Sequence, residues 1–126
     1  MKLVFSRESL FLLVVFVAGE IMGNLLGFHT TLPQYDVFMH FVGGALVSSV
    51  IINLLLERLE QYSYITNVFV TLGIGALFEI FEFCADVFFK TTTQPGLEDT
   101  MIDLIIVLAA AIIINTIYWF RHIREK

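Results

Sequence analysis

Four apolar segments dominate the chain, at about residues 9–28, 36–56, 66–89 and 99–120. Each is near the ~20 residues a helix needs to cross a bilayer. Inside hydrocarbon every backbone N–H and C=O must be bonded within the protein, so continuous apolar runs of this length fold as helices. The expected fold is all-α: one transmembrane domain over 1–126, built as a four-helix bundle in the plasma or inner membrane. Composition agrees. The chain is 58% hydrophobic and 15% charged, against about 25% charged in a soluble domain. Seven Lys and Arg in all are too few and too scattered for a nucleic-acid partner. The single cysteine, Cys84, excludes an internal disulfide and reads as a packing residue among phenylalanines. Lys2 and Arg7 precede the first segment, but its apolar character continues past Glu20, so a retained helix is expected rather than a cleaved signal peptide.

The third segment contains an anomaly. Glu79, Glu82 and Asp86 recur at i, i+3 and i+7 and project from one helical face. A carboxylate in hydrocarbon is costly by at least a few kcal/mol. Three on one face require a cation, a proton, a water-filled cavity or hydrogen-bond donors opposite them. Other polar residues are also placed early or late in their segments. Asp36 is expected to cap the second helix and Asp99 or Thr100 the fourth, with His40 and Asp103 one turn inside, and Glu20 and Asn24 share a face of the first helix. Gly19, Gly23 and Gly27 recur every four residues, a small-residue face suited to close helix approach and to a homodimer.

Loop charges give an orientation. Lys2, Arg7, Arg58, Arg121, Arg124 and Lys126 fall on one side and only Lys90 on the other, which places both termini in the cytoplasm. Glu20, Asp36, His40, Glu79, Glu82, Asp86, Asp99 and Asp103 then all occupy the outer half. They are expected to form one polar site that opens outward and is closed below by packed apolar residues. His29 and His122 read as loop and tail residues.

Many carboxylates with one imidazole suit a hard or borderline divalent cation. His40, Glu79, Glu82 and Asp103 are the expected ligands, with Asp86 and Asp99 as direct or supporting partners. If the protein is an enzyme, water activated beside Glu82 or His40 would attack a lipid head group or another outer-face substrate. Two alternatives use the same residues: a cation or proton transport element, and a non-catalytic scaffold in which the acids are caps and hydrogen-bond partners.

The ordered pattern Tyr35-Asp36-x-x-x-His40-Phe41-x-Gly43-Gly44, Gly75-Ala76-x-x-Glu79-x-x-Glu82 and Gly96-x-x-Asp99-Thr100-x-x-Asp103-Leu104 resembles the YjdF-type inner-membrane proteins, a group similar in character to VanZ-like small membrane proteins. The resemblance covers the second to fourth helices. It implies a small multi-helix membrane protein with a shared polar motif set and implies no reaction.

Overall fold

The computed structural model describes residues 6–59 and 62–124, with the side chains of Pro33 and 57–59 outside the description. Lys2, Lys126 and the Arg58 side chain, all used in the loop charge count, therefore lie outside the described residues. The elements are α1 (Arg7–Leu26), α2 (Phe28–Thr31), α3 (Pro33–Leu59), α4 (Ser63–Phe89) and α5 (Leu97–Arg124). The helices α1, α3, α4 and α5 are each long and apolar enough to cross a membrane. The protein is thus an all-α, multi-pass bundle of four spans. Their outer faces carry exposed Phe11, Phe69, Phe81, Phe88 and Phe89, which suit lipid rather than water as the surrounding solvent.

Local chemistry sets the helix ends. Ser6 caps α1, its Oγ accepting the Ser9 backbone N–H at 3.1 Å. Gly27 ends α1 at φ 68° and donates its N–H to the Gly23 carbonyl. A left-handed cap of this kind favours glycine, so the third glycine of the four-residue repeat is a terminator. The second span, α3, begins at Pro33, ahead of the expected start, because proline's fixed φ and missing N–H suit the first helical position. Asp36 is therefore in the first turn and is not the cap. In α5 the Gly96 carbonyl accepts the Thr100 N–H at 3.2 Å, which puts Asp99 inside the first turn. Both acids still lie at the positive end of a helix dipole.

Consecutive spans are antiparallel, and α3 is central, packing on α1, α4 and α5. The α1 backbone makes no close approach to α4 or α5. Small residues bring α3, α4 and α5 together. A Cβ on Gly44 would lie 3.1 Å from the Val107 Cα, and one on Gly75 would lie 3.0 Å from Val107 Cγ1. Buried Ala45, Ala110 and Ala111 continue this seam. The glycines of α1 serve the chain's own packing. A Cβ on Gly19 would meet Met39 Sδ at 2.7 Å, and one on Gly23 would meet His29 Nε2 at 2.6 Å. Tyr35 Oη also donates to the Gly19 carbonyl at 2.6 Å. The face expected to form a homodimer is occupied by α2 and α3 of the same chain.

The half of the bundle away from the acids is not closed by apolar packing alone. Asn67 Nδ2 donates to Ser48 Oγ at 2.8 Å and to Asn115 Oδ1 at 2.6 Å. Thr71 Oγ1 donates to Asn67 Oδ1 at 3.2 Å, and Asn115 Nδ2 donates to the Tyr64 carbonyl at 2.8 Å. Nearer the N-terminal end, Ser9 and Ser49 share a 2.7 Å bond, and Asn53 donates to Tyr118 Oη at 3.1 Å. These uncharged residues fall singly or in pairs within apolar runs, so periodicity alone does not show that they meet. Replacing Asn67 with leucine removes the partner of Ser48 Oγ, of Asn115 Oδ1 and of Thr71 Oγ1. Each interhelical bond in a membrane averages about 0.6 kcal/mol, so a total loss of about 2 kcal/mol is expected. A thermal unfolding midpoint in detergent equal to that of the wild type would contradict this.

Candidate metal centre

Three helices bring their polar side chains to His40. On α3, Asp36 is one turn before it, with His40 Nε2 at 3.8 Å from Asp36 Oδ2. From α5, Asp103 Oδ2 stands 3.8 Å from the same nitrogen. From α4, Glu79 Oε1 stands 3.7 Å from His40 Nδ1. The imidazole thus has a carboxylate group on each side. Two sets of side chains can present ligand atoms within 4.8 Å of one another: Asp36, His40 and Asp103, and His40, Glu79 and Glu82. The His40 ring is also braced by Phe78, edge to face, with centroids 5.8 Å apart.

The electrostatics of this cluster are unbalanced. Glu79 is 3% exposed and Asp103 is 1% exposed. Glu79 Oε1 and both Asp103 carboxylate oxygens are buried without a hydrogen-bond partner. The nearest imidazole nitrogens, at 3.7 and 3.8 Å, are beyond hydrogen-bond reach. Buried polar atoms are ordinarily satisfied, and a buried charge without a partner is strongly unfavourable. Among the described residues, the basic side chains within 4 Å of these carboxylates are the imidazoles of His29 and His40 alone, and no Lys or Arg pairs with them. Metal–oxygen and metal–nitrogen bonds of about 2.0–2.6 Å place ligand atoms of one ion roughly 3–5 Å apart. The ligand atoms already lie within that range, so the buried Asp/Glu/His cluster is geometrically compatible with a divalent cation.

The remaining expected site residues divide. Glu82 and Asp99 line a cavity of about 800 Å³ together with Asp36 and His40. Asp86 lies apart from both ligand groups. Its Oδ1 accepts from Thr91 Oγ1 at 2.6 Å, Thr93 N at 2.8 Å and Thr93 Oγ1 at 2.7 Å. Its Oδ2 accepts from Gln94 N at 2.8 Å. Asp86 folds the α4–α5 loop onto the helix end, and this fold delivers Gln94 to the site. Gln94 Nε2 donates to Glu79 Oε2 at 3.2 Å and to the Glu79 carbonyl at 3.3 Å.

Two participants escape sequence reasoning. Gln94 belongs to a link whose only legible feature is a Pro-Gly turn. His29 belongs to α2, where it stands 3.6 Å from Glu20 Oε2 and 3.7 Å from Asp36 Oδ1. The left-handed turn at Gly27 breaks helical periodicity, so spacing cannot connect His29 to either acid. The Gly-His pair directly after an apolar span is the one available signal.

A protein of Thermotoga maritima, described only as uncharacterised, is 30% identical over 106 residues, which are 79% of this chain and 55% of that protein. The chain thus spans about half the length of that relative. No solved structure matches it significantly. The family model described as "Predicted membrane protein (DUF2238)" matches residues 1–124. Four apolar spans gathered around a polar cluster, and a match over nearly the whole sequence, establish that the chain belongs to the DUF2238 family of membrane proteins.

Proposed function

We propose that the protein binds a divalent cation at His40. The observation that carries this reading is the set of buried, unpartnered oxygens of Asp103 and Glu79 on either side of one imidazole. A neutral imidazole ligates through one nitrogen, and its other N–H is held by a carboxylate that fixes the ring. Asp103 has two free oxygens, whereas Glu79 is already held through Oε2 by Gln94. Asp36, His40 and Asp103 therefore hold the ion, Glu79 orients the ring through its Nδ1 side, and Glu82 and Asp99 stand on the cavity wall beside it. A bound divalent cation would polarise a substrate oxygen and supply hydroxide at neutral pH. Glu82 is the free carboxylate placed to move a proton in such a hydrolysis. The loop charge count supports a site facing outward with cytoplasmic termini. The ordered motifs support kinship with the YjdF-type proteins.

The test is elemental analysis of detergent-purified protein after exposure to divalent metal salts and desalting. Wild type is expected to retain stoichiometric metal and Asp103→Asn to lose it. Glu79→Gln should bind about 10–100-fold more weakly, as for residues that orient a ligand. Wild type without stoichiometric metal sinks the reading. A second reading, cation or proton transport, is favoured by the buried chain Thr71–Asn67–Asn115 in the opposite half. It requires ion flux in proteoliposomes that Glu79→Gln abolishes.

A further inference from the structure

The cavity beside His40 is asymmetric, and its asymmetry matches one kind of molecule. At one end it is lined by His29, Asp36, His40 and Glu82. Away from them its walls are Phe16, Val47, Ile74 and Phe78, and it reaches Thr71. From Glu82 to Thr71 is eleven residues along α4, or ~16 Å at ~1.5 Å per residue. One leaflet of hydrocarbon is ~15 Å deep. The side walls come from α1 and α4, which do not approach each other, and Ile74 and Phe78 are 39% and 48% exposed. The cavity is therefore a groove open sideways to the membrane. At Gly43 the Phe16 ring lies close against α3, where an added Cβ would be 3.1 Å from Phe16 Cε2.

We infer that this groove accepts a phosphate-headed lipid from the surrounding leaflet, with the acyl chain between α1 and α4 and the phosphate at the His40 cation. The inference rests on the cation reading above. Among the described residues, no Lys or Arg lines the groove, so its own charge repels a phosphate. A hard divalent cation held by one or two carboxylates, in contrast, completes its shell with phosphate oxygens. Charge complementarity therefore makes an anionic lipid a ligand only when the metal is present, and the apolar walls restrict it to a ligand with a tail.

The experiment titrates wild-type protein in dodecyl maltoside micelles with a phosphatidate carrying a fluorophore on a short acyl chain, in Mn²⁺ or in EDTA, with metal content measured in parallel. Saturable binding in Mn²⁺, at least tenfold weaker in EDTA, is expected. Diacylglycerol and inorganic phosphate should each compete at least tenfold less well than unlabelled phosphatidate. Ile74→Trp, which fills the groove, should keep its metal and weaken phosphatidate binding at least tenfold. Equal binding in EDTA, no saturable binding by metal-loaded protein, or preferential binding of stearylamine overturns the inference while leaving the cation reading intact. Equal competition by inorganic phosphate removes the groove from recognition and also overturns it. Wild type that holds no metal overturns the cation reading and this inference together. The Mn²⁺ and EDTA arms use wild type alone, so the comparison survives if Ile74→Trp does not fold.

Discussion

His40→Ala is expected to abolish stoichiometric cation binding, with affinity falling at least 100-fold. Every other group at the site serves one side of the cluster, whereas His40 belongs to both sets of ligand atoms. Residues that only orient a metal ligand typically contribute about 10–100-fold, so loss of the nitrogen ligand itself should exceed that range. The substitution also removes the imidazole that stands within 4 Å of Glu79 Oε1, Asp36 Oδ2 and Asp103 Oδ2 at once. The matched control is Asp86→Asn. Asp86 is a carboxylate of the same α4 stripe, but its oxygens are engaged by Thr91, Thr93 and Gln94. It should lose far less metal affinity than His40→Ala, with a loss no larger than that of Glu79→Gln, because it acts only through the loop that brings Gln94 to Glu79. Isothermal titration with Mn²⁺ and elemental analysis read both variants. Equal metal retention by His40→Ala and wild type would remove the imidazole from the centre.

The largest effect on stability is expected from Gly44→Leu. The new Cβ would stand 3.1 Å from the Val107 Cα and 3.4 Å from the Val107 carbonyl oxygen. Those are backbone atoms of α5 and cannot swing aside as a side chain does. Overpacking of this kind costs about 1–3 kcal/mol, and here it separates α3 from α5 along their length. The consequence reaches the cluster, because His40 is one turn from Gly44 on α3 and Asp103 is one turn from Val107 on α5. Gly73→Ala is the informative contrast. Nothing lies within 4 Å of a Cβ at that position, and alanine should gain roughly 0.5–1 kcal/mol of helix propensity. Thermal midpoints of the two variants in detergent should therefore move in opposite directions. If both move together, the close α3–α5 seam does not control stability.

Much of the site is legible in the sequence because antiparallel helices preserve order along the membrane normal. Once four spans are counted, Glu20, Asp36, His40, Glu79, Glu82 and Asp103 must fall in the same half of the bundle. In the structure, His29 and His40 link Glu20, Asp36, Glu79 and Asp103 in succession, and Glu82 lines the cavity beside them. Periodicity fails at the next step. It states which residues share a face of one helix, but not how that face is rotated against its neighbours. Glu79, Glu82 and Asp86 form one stripe on paper. Yet Glu79 is buried against His40, Glu82 lines the cavity, and Asp86 anchors a loop. The Gly19 and Gly23 surface is likewise visible as a close-packing face, while its partner is not.

Four helical spans, the gathering of the acids within those spans toward one half, and the presence of small-residue seams can all be read from the chain without its fold. Each follows from a one-dimensional property: apolar length, position within a span, or residue spacing. Folding in three dimensions sets the rest: one imidazole divides the carboxylates into two groups, Gln94 and His29 join them, and uncharged polar residues bond across the other half. It also decided that α1 and α4 stand apart and leave a groove between them. These outcomes depend on helix rotation and on loops whose path is fixed by single hydrogen-bonding side chains. Such interactions are between residues far apart in the chain, and residue spacing carries no record of them.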